Sequence, residues 1–435
     1  MSIEELYQVY LQHPIVTTDS RNCPEGSVFF ALKGERFNGN AYAGQALEAG
    51  CAVAVVDDPE VALDERFILV PDVLDALQQL AALHRRRWGG IVLQVTGTNG
   101  KTTTKELLSA VLAKKFNVLF TQGNKNNHIG VPLTLLRLTD KHNLAVVETG
   151  ANHPGEIAGL CRIVQADYGI ITNVGRAHLE GFGSFEGVKA TKGELYDDIS
   201  ARGGNVFLNA FDNDLVHMAE ERGLKLRETA FPYIEGRVSS INPFLTFQWR
   251  SDVDADWHEV VTHLVGAYNI DNVRAAVTVG LHFGVPASQI DEAIAHYEPK
   301  NSRSEFRCSA YNNIIVDAYN ANPSSMAAAL TNFLFVMDDS KMVILGDMQE
   351  LGEESYIEHQ KILCQLVDSR IEQVWLVGPM FAQAAVCYTF THSTVRFFPD
   401  VEAVKACLES ELVRGYTILI KGSNSMRLHE LPDLL

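Results

Sequence analysis

Short apolar runs alternate with amphipathic stretches along the whole chain. In the first 85 residues, "GSVFFAL" (26–32) and "CAVAVVD" (51–57) are apolar runs of strand length. Two further stretches, "NAYAGQALEAG" (40–50) and "VLDALQQLAALHRRRW" (73–88), repeat apolar residues at helical spacing. The pattern predicts a small α/β unit over residues 1–85, the first segment.

The second segment, residues 86–300, alternates helical stretches with apolar strands that read "GGIVLQVTG", "LAVVETG", "YGIITNV" and "NVFLNA". This alternation is typical of a mostly parallel sheet covered by helices. Between about 225 and 265, "SINPFLTFQWR" and "WHEVVTHLVG" predict an antiparallel addition to that sheet. After the linker-like "YEPKNSRSEF", a third segment over 301–435 repeats the α/β pattern with "NNIIVDAY", "KMVILGD", "QVWLVG" and "YTILIKGS".

Composition narrows the class of protein. With 435 residues, 46% hydrophobic and 21% charged, the chain is ordinary globular material, and its net charge of -18 argues against non-specific binding to nucleic acid or anionic lipid. No apolar stretch reaches the roughly 18 residues of a membrane span, and the acidic start "MSIEELYQVY" is unlike a signal peptide, so we expect a cytoplasmic protein. The seven cysteines are scattered without CxxC spacing, which indicates neither a disulfide framework nor a zinc site.

The stretch "VTGTNGKTTTKELL" (95–108) joins a buried strand pattern to a helical one through a glycine turn. Such a turn lets backbone N–H groups and the helix N-terminus hold an anion, while Lys101 can reach terminal phosphates and Thr102 can place its hydroxyl on Mg²⁺. The commonest P-loop spacing would require glycine at Val95, so the strand-to-helix context carries the prediction. The predicted nucleotide-binding residues of this loop are Gly97, Thr98, Asn99, Gly100, Lys101, Thr102 and Thr103.

The base of the nucleotide is predicted from "GNKNN" (123–127). This piece is similar to the NKxD motif that reads guanine, but Asn127 stands where the aspartate would be. The sequence therefore favours adenine, and ATP as the nucleotide.

Polar residues at the ends of predicted strands suggest a metal site. Glu148 and His178 follow two such strands, where open α/β sheets bind ligands. Alone, each would be an ordinary solvated loop residue; together with Thr102 they are candidate Mg²⁺ ligands, although histidine is an uncommon ligand for so hard a cation. Lys189 and Lys192 in "SFEGVKATKGELYDDI" fall near the same strand end, or form only a charged helix face.

The chain resembles the Mur ligases of bacterial cell-wall synthesis over nearly its whole length. The resemblance rests on "TGTNGKTTTKELL", "GNKNNHIGVPLTLL", "ETGANHPGEI", "TNVGRAHLEGFGS", "KGELY", "GAYNIDNVRAA", "DAYNANPSSM", "GDMQELG" and "KGSNSMR". Within the family, "DAYNANPSSM" and "GDMQELG" are similar to the branch that adds D-alanyl-D-alanine. The DNPR-like motif of the branch that adds the diamino acid is absent from the sequence.

The resemblance implies an α/β protein of three domains. These are a small N-terminal α/β domain for UDP-MurNAc-peptide (1–85), a central P-loop ATPase domain with a mostly parallel sheet (86–300) and a C-terminal Rossmann-like domain (301–435). It further implies that ATP and Mg²⁺ drive the joining of D-alanyl-D-alanine to UDP-MurNAc-tripeptide through an acyl phosphate. We expect a monomer.

The resemblance also implies site residues beyond the glycine loop. At the UDP-MurNAc-peptide end they are Ser20, Arg21, Lys33, Arg36, Asn40, Asn124 and Asn127. On the nucleotide side they are Asn269, Asn272, Arg303, Asp317, Asn320 and Asn322. The implied catalytic residues are Lys101, His178, Lys192 and Arg303.

Lys192 aligns with the lysine that this family carbamylates. A carbamate turns an ammonium into an oxygen-donating anion that Mg²⁺ can use. Lys189 remains the alternative. Two other functions stay open: another amide ligase, of the Mur or folylpolyglutamate synthase-like type, and a nucleotide-binding module without catalysis. The α/β unit before the glycine loop argues against a folylpolyglutamate synthase-like enzyme.

Overall fold

The computed structural model describes residues 1–35, 37–225, 229–252, 255–300, 302–336 and 340–435. Its three larger sheets are wholly or mostly parallel, and helices connect many of their successive strands. The predicted α/β class is confirmed. In the part of the chain that is described, no helix has the length and apolar character needed to cross a bilayer.

The first segment is built on a four-stranded parallel sheet of order β1-β2-β5-β6, with β3 and β4 as a separate antiparallel pair. The strands are β1 (Val16–Thr17), β2 (Val28–Phe30), β3 (Lys33–Gly34), β4 (Phe37–Asn38), β5 (Val53–Val56) and β6 (Phe67–Leu69). The α-helices are Ile3–Gln12, Ala43–Glu48 and Val73–Trp88, and a 3₁₀ turn spans Gly39–Tyr42. Asp72 caps the third helix and Gly89 ends it at a left-handed φ of 71°, so the predicted helix over 73–88 is confirmed.

The second segment contains a six-stranded parallel sheet of order β12-β11-β10-β7-β9-β8. Its strands are β7 (Ile91–Thr96), β8 (Val118–Phe120), β9 (Leu144–Glu148), β10 (Tyr168–Ile171), β11 (Asn205–Leu208) and β12 (Ala230–Pro232). Helices cover both faces, which is why these strands read as continuous apolar runs. Because β7 lies between β9 and β10, the loops that follow these three strands meet at one edge of the sheet.

The α-helices of the second segment are Lys101–Leu112, Gly130–Leu135, Glu156–Val164, Leu179–Phe182, Phe185–Arg202, Asn213–Glu221, Ile270–His282 and Ala287–Ala295, and a 3₁₀ turn spans Ala267–Asn269. The predicted antiparallel addition forms a sheet of its own, from β13 (Glu235–Ser240), β14 (Thr246–Arg250) and β15 (His258–Val261). Phe247 and Trp249 on β14 pack in one apolar cluster with Leu107 and Val273 of two helices. These strands therefore lie on helices and do not extend the parallel sheet.

The third segment has a six-stranded sheet of order β16-β17-β21-β18-β19-β20, parallel except for the antiparallel edge strand β16. The strands are β16 (Glu305–Cys308), β17 (Asn313–Asp317), β18 (Lys341–Gly346), β19 (Gln373–Val377), β20 (Thr394–Phe398) and β21 (Thr417–Lys421). The α-helices are Pro323–Leu334, Ser355–Val367, Pro379–Ala384 and Val401–Ser410. Short 3₁₀ turns span Gly352–Glu354, Ala385–Cys387, Asn424–Met426, Leu428–Glu430 and Pro432–Leu434.

Hydrogen bonds dock the third segment over the loop that follows β7. Asn322 Nδ2 donates to Asn99 Oδ1 at 2.8 Å, and the Arg176 backbone N–H donates to Ser324 Oγ at 3.1 Å. The start of the helix Pro323–Leu334 thus lies directly against the glycine loop. We call this contact region between the second and third segments the seam.

Candidate active site

A cavity of about 930 Å³ lies where the three segments meet. The predicted site residues that line it are Thr98, Asn99, Gly100, Lys101, Thr102, Thr103, Asn124, Asn127, Glu148, His178, Asn269, Asn272, Arg303, Asp317 and Asn320. The described predicted residues outside this lining are Ser20, Arg21, Lys33, Asn40, Gly97, Lys192 and Asn322. Arg36 lies outside the described residues.

Two glycines determine the shape of the loop after β7. Gly97 has a φ of 139° and Gly100 a φ of 77°, which residues with side chains rarely adopt. A Cβ on Gly97 would lie 2.1 Å from Thr172 Oγ1, and one on Gly100 would lie 2.5 Å from Asn272 Oδ1. The helix that begins immediately after Gly100 has no side-chain cap, so its first N–H groups can bind an anion.

The Lys101 ammonium folds back over this loop. Its Nζ donates to the carbonyl oxygens of Gly97 at 2.8 Å and Thr98 at 2.9 Å. Burial lowers the pKa of Lys101 to about 8, although the nearby Glu148 carboxylate opposes that shift. A bound phosphate would favour the charged ammonium, because an adjacent anion raises the pKa of a lysine.

A buried carboxylate lies beside the loop. Thr102 Oγ1 donates to Glu148 Oε2 at 3.0 Å, and Asn126 Nδ2 donates to Glu148 Oε1 at 2.8 Å. A hydroxyl next to a carboxylate fits Mg²⁺, which takes one or two carboxylates and completes its shell with phosphate and water oxygens. Among the described residues, no three His, Cys, Asp or Glu side chains converge in a way that would hold a metal ion.

His178 lies in the turn that follows β10, with a left-handed φ of 51°. Its Nδ1 contacts a carboxylate oxygen of Glu350, which comes from the third segment. Burial lowers the pKa of His178 and the ammonium groups of Lys101 and Lys192 add to that lowering, while Glu350 opposes it. The charges of these two lysines therefore influence the protonation of His178.

The two candidate lysines of the helix Phe185–Arg202 have different surroundings. Lys192 is buried just behind the cavity wall, where its Nζ donates to the Ala151 carbonyl at 3.4 Å, and burial lowers its pKa to about 7. Lys189 instead pairs with Asp214 at 2.8 Å, and this bond raises its pKa. Because the neutral amine is the form that reacts with carbon dioxide, the surroundings favour Lys192 for a carbamate.

Two buried asparagines lie at the start of the helix Ile270–His282, and Asn272 contacts the helix that follows the glycine loop. Asn272 Nδ2 donates to Asn269 Oδ1 at 2.8 Å, and Thr104 Oγ1 donates to Asn272 Oδ1 at 3.0 Å. Both asparagines also line the cavity. Asn272 thus braces the helix that follows the glycine loop, and both asparagines contribute amide groups to the cavity wall.

The third segment contributes cations to the opposite wall. The Arg303 guanidinium stacks on Tyr319, with its Cζ 3.7 Å from the ring centre. Lys421 Nζ donates to Asp317 Oδ2 at 2.6 Å and to the Asn320 carbonyl at 3.3 Å. The carboxylate of Asp317 is thus paired with Lys421, whereas the Arg303 guanidinium stacks on the ring of Tyr319.

Asn322 has a supporting position. Its Oδ1 accepts the Ser325 backbone N–H at 2.9 Å and caps the helix Pro323–Leu334, while its Nδ2 donates to Asn99. The Asn322 side chain thus connects the third segment to the glycine loop.

The described first-segment residues predicted at the UDP-MurNAc-peptide end lie apart from the cavity, whereas Asn124 and Asn127 line it. Arg21 pairs with Asp19 and its side chain is 86% exposed. Lys33 pairs with Asp57 at 2.9 Å, and Asn40 is buried with its amide bonded to the same carboxylate. Asn40 and Lys33 therefore stabilise the turn that follows β5.

Sequence reasoning missed several cavity-lining residues. Asp75, Gln78 and Gln79 line the cavity from the helix Val73–Trp88, and their helical spacing was a visible signal of one polar face. Asn126 and Lys421 lie inside quoted motifs, "GNKNN" and "KGSNSMR", yet their partners are distant in sequence. No local sequence pattern pairs Asn126 with Glu148 or Lys421 with Asp317.

Family models cover most of the chain. The Mur ligase family, catalytic domain model matches residues 14–85, the Mur ligase middle domain model matches 95–280, and the Mur ligase, glutamate ligase domain model matches 302–424.

Known proteins are similar over the full length. The UDP-N-acetylmuramoyl-tripeptide--D-alanyl-D-alanine ligase of Bacillus subtilis is 33% identical over 430 residues, covering 97% of this chain and 93% of that protein. A crystal structure of MurF from Acinetobacter baumannii is 31% identical with a TM-score of 0.87, covering 100% of this chain and 98% of that one. MurF ligase from Thermotoga maritima, in complex with ADP, is 25% identical with a TM-score of 0.84, covering 98% and 97% of the two chains.

Proposed function

Because the chain belongs to the Mur ligase family, we propose that it uses ATP to join D-alanyl-D-alanine to UDP-MurNAc-tripeptide, giving UDP-MurNAc-pentapeptide, ADP and phosphate. The name of the Bacillus subtilis relative supports this pair of substrates, and the ADP complex of the Thermotoga maritima ligase supports an adenine nucleotide. The reaction belongs to peptidoglycan synthesis, and we assign it to the cytoplasm.

The observation that carries the proposal is a cation pair facing one phosphate-binding loop. Lys101 begins the helix after the loop, and Arg303 on the third segment is close enough to help lower the pKa of Lys101. Two cations and a row of free helix N–H groups suit the terminal phosphates of a nucleotide, where negative charge develops during transfer.

The first step forms an acyl phosphate. A terminal carboxylate oxygen of the tripeptide attacks the γ-phosphorus of ATP, and the bond from that phosphorus to the bridging oxygen of ADP breaks. Lys101 and Arg303 neutralise charge on the transferring group, and the backbone of the glycine loop orients the phosphates.

Mg²⁺, when bound, would neutralise phosphate charge and orient the γ-phosphate for attack. Thr102 and Glu148 fit its shell by chemistry and contact, with His178 and a carbamate on Lys192 as further ligands. Asn126 holds the Glu148 carboxylate in place.

The second step forms the amide bond. The amine of D-alanyl-D-alanine attacks the activated carbonyl to give a tetrahedral intermediate, which collapses with loss of phosphate; the amine loses a proton. Holding both substrates in one cavity makes this attack effectively intramolecular.

The UDP end of the substrate is assigned to the first segment. To face the pyrophosphate, Arg21 would leave its exposed partner Asp19, and Lys33 would leave the nearly buried Asp57. Asn124 and Asn127 line the cavity and suit the sugar-peptide part.

A substrate panel tests this function. Phosphate release is measured with ATP, Mg²⁺ and UDP-MurNAc-tripeptide, with and without D-alanyl-D-alanine, using peptides whose third residue is meso-diaminopimelate or lysine. We expect full turnover only with both substrates, and a product heavier by one D-alanyl-D-alanine unit minus water. Turnover with a folate substrate and none with the UDP-linked peptides would favour a folylpolyglutamate synthase-like enzyme, and nucleotide binding without turnover would favour a binding module.

A further inference from the structure

One contact across the seam involves His178, which is a predicted metal ligand. His178 follows β10 in the second segment, and Glu350 follows β18 in the third, and their side chains meet at His178 Nδ1. Both residues have left-handed backbones, with φ of 51° and 62°. Two side-chain-bearing residues in this rare conformation, in contact across the seam, indicate a built interaction.

The loop that carries Glu350 is held by buried groups. The Met348 N–H donates to Nε2 of the fully buried His359 at 3.1 Å, and the Gln349 N–H donates to Ser423 Oγ at 3.1 Å. The Glu350 carbonyl accepts the Glu180 N–H at 3.3 Å. The position of the Glu350 carboxylate is therefore set by an anchored backbone, although the side chain itself is 54% exposed.

A second ion pair closes the same seam without touching His178. The Arg176 guanidinium contacts Glu354 at 3.0 Å and Glu358 at 3.8 Å. The Arg176–Glu354 pair helps to hold the second and third segments together. Docking of the segments therefore does not by itself require the contact between Glu350 and His178.

The chemistry of the contact suggests what it does. A carboxylate at Nδ1 accepts the proton there, which leaves the lone pair on Nε2 of His178 to act as an acceptor or a ligand. Histidines that bind metals usually donate their other N–H to a carboxylate or carbonyl, which fixes the tautomer and the direction of the ring. Among the described residues, the His178 ring forms a hydrogen bond at Nδ1 and none at Nε2.

We propose that Glu350 is a positioning residue that orients His178 toward the metal–nucleotide complex, so that this ligand is aligned only when the third segment is docked. The inference rests on the proposed function. It makes metal binding and docking of the third segment mutually reinforcing, because each stabilises the arrangement that favours the other.

Metal affinity tests the proposal without turnover. Mn²⁺ serves as the probe, titrated by electron paramagnetic resonance in the presence of a non-hydrolysable ATP analogue. Glu350→Gln keeps the size of the side chain and removes its charge, and we expect Mn²⁺ to bind about 10- to 100-fold more weakly to that variant. The nitrogen modulation from histidine in the spin echo of the bound Mn²⁺ should fall as well.

Glu354→Gln is the matched control, since it removes a seam carboxylate that does not touch His178. We expect it to keep wild-type Mn²⁺ affinity and nitrogen modulation. Unchanged Mn²⁺ binding in Glu350→Gln, or an equal loss in both variants, would overturn the positioning role while leaving the proposed function intact. Failure of the wild-type protein to bind the metal–nucleotide complex would overturn both.

Discussion

Replacing Lys192 by alanine tests the role of a buried lysine whose pKa is strongly lowered. The ammonium is buried beside the Ala151 carbonyl, and its pKa of about 7 is far below the ordinary 10.5. With that pKa, roughly half of the side chains are neutral at pH 7, against about one in 3000 for an ordinary lysine. The site therefore raises the supply of the amine that reacts with carbon dioxide by about a thousandfold.

The assay combines activity with direct detection of the carbamate. Lys192→Ala should be nearly inactive, and acetate, which supplies carboxylate oxygens, should restore part of the activity. With ¹³C-bicarbonate, the wild-type protein should show a carbamate carbon signal that grows as pH rises through about 7, because deprotonation of Lys192 creates the neutral amine. Lys189→Ala is the matched control and should keep both signal and activity, since Lys189 pairs with Asp214.

Two results would refute this reasoning. Wild-type activity of Lys192→Ala without additive would show that the chain needs no carbamate there. A carbamate signal lost in Lys189→Ala and retained in Lys192→Ala would assign the modification to the other lysine.

Three further substitutions test the loop and its metal. Lys101→Ala should cost about 10²- to 10³-fold in turnover with the fold retained, and near-normal turnover of a folded variant would exclude the phosphate-binding role. Glu148→Gln should shift the Mg²⁺ titration of activity to higher concentration, whereas an unchanged titration would remove Glu148 from the metal shell. Gly100→Ala places a Cβ 2.5 Å from Asn272 Oδ1 at a φ of 77°, so thermal unfolding should show a loss of about 1–3 kcal/mol together with weakened ATP binding; wild-type values for both would show that the loop tolerates a side chain.

The sheets could be predicted because their strands are locally recognisable. "IVLQVT" and "LAVVE" are buried on both faces, and the structure has them as β7 and β9, side by side. This pairing brings the glycine loop and Glu148 to one edge, as the strand ends predicted. The separate antiparallel sheet was harder to place, because alternation predicts a half-buried strand without saying what covers it.

The finer parts of the site depend on contacts between residues far apart in the chain. Glu350 meets His178 across 172 positions, and Lys421 meets Asp317 across 104. No local pattern encodes such partners, since the first contact follows from how the second and third segments dock and the second from the pairing of β17 with β21. The limits of the three segments and the roles of their site residues stay predictions, to be decided by the experiments above.

The path of one oxygen atom tests the central claim most directly. UDP-MurNAc-tripeptide labelled with ¹⁸O in its terminal carboxylate is incubated with ATP, Mg²⁺ and D-alanyl-D-alanine, and the released phosphate is analysed by mass spectrometry. If an acyl phosphate forms, the bridging oxygen leaves with the phosphate, so each phosphate should carry one ¹⁸O and the pentapeptide should retain the other. Unlabelled phosphate, released alongside ADP without pentapeptide, would show that the chain hydrolyses ATP with water and would contradict the account.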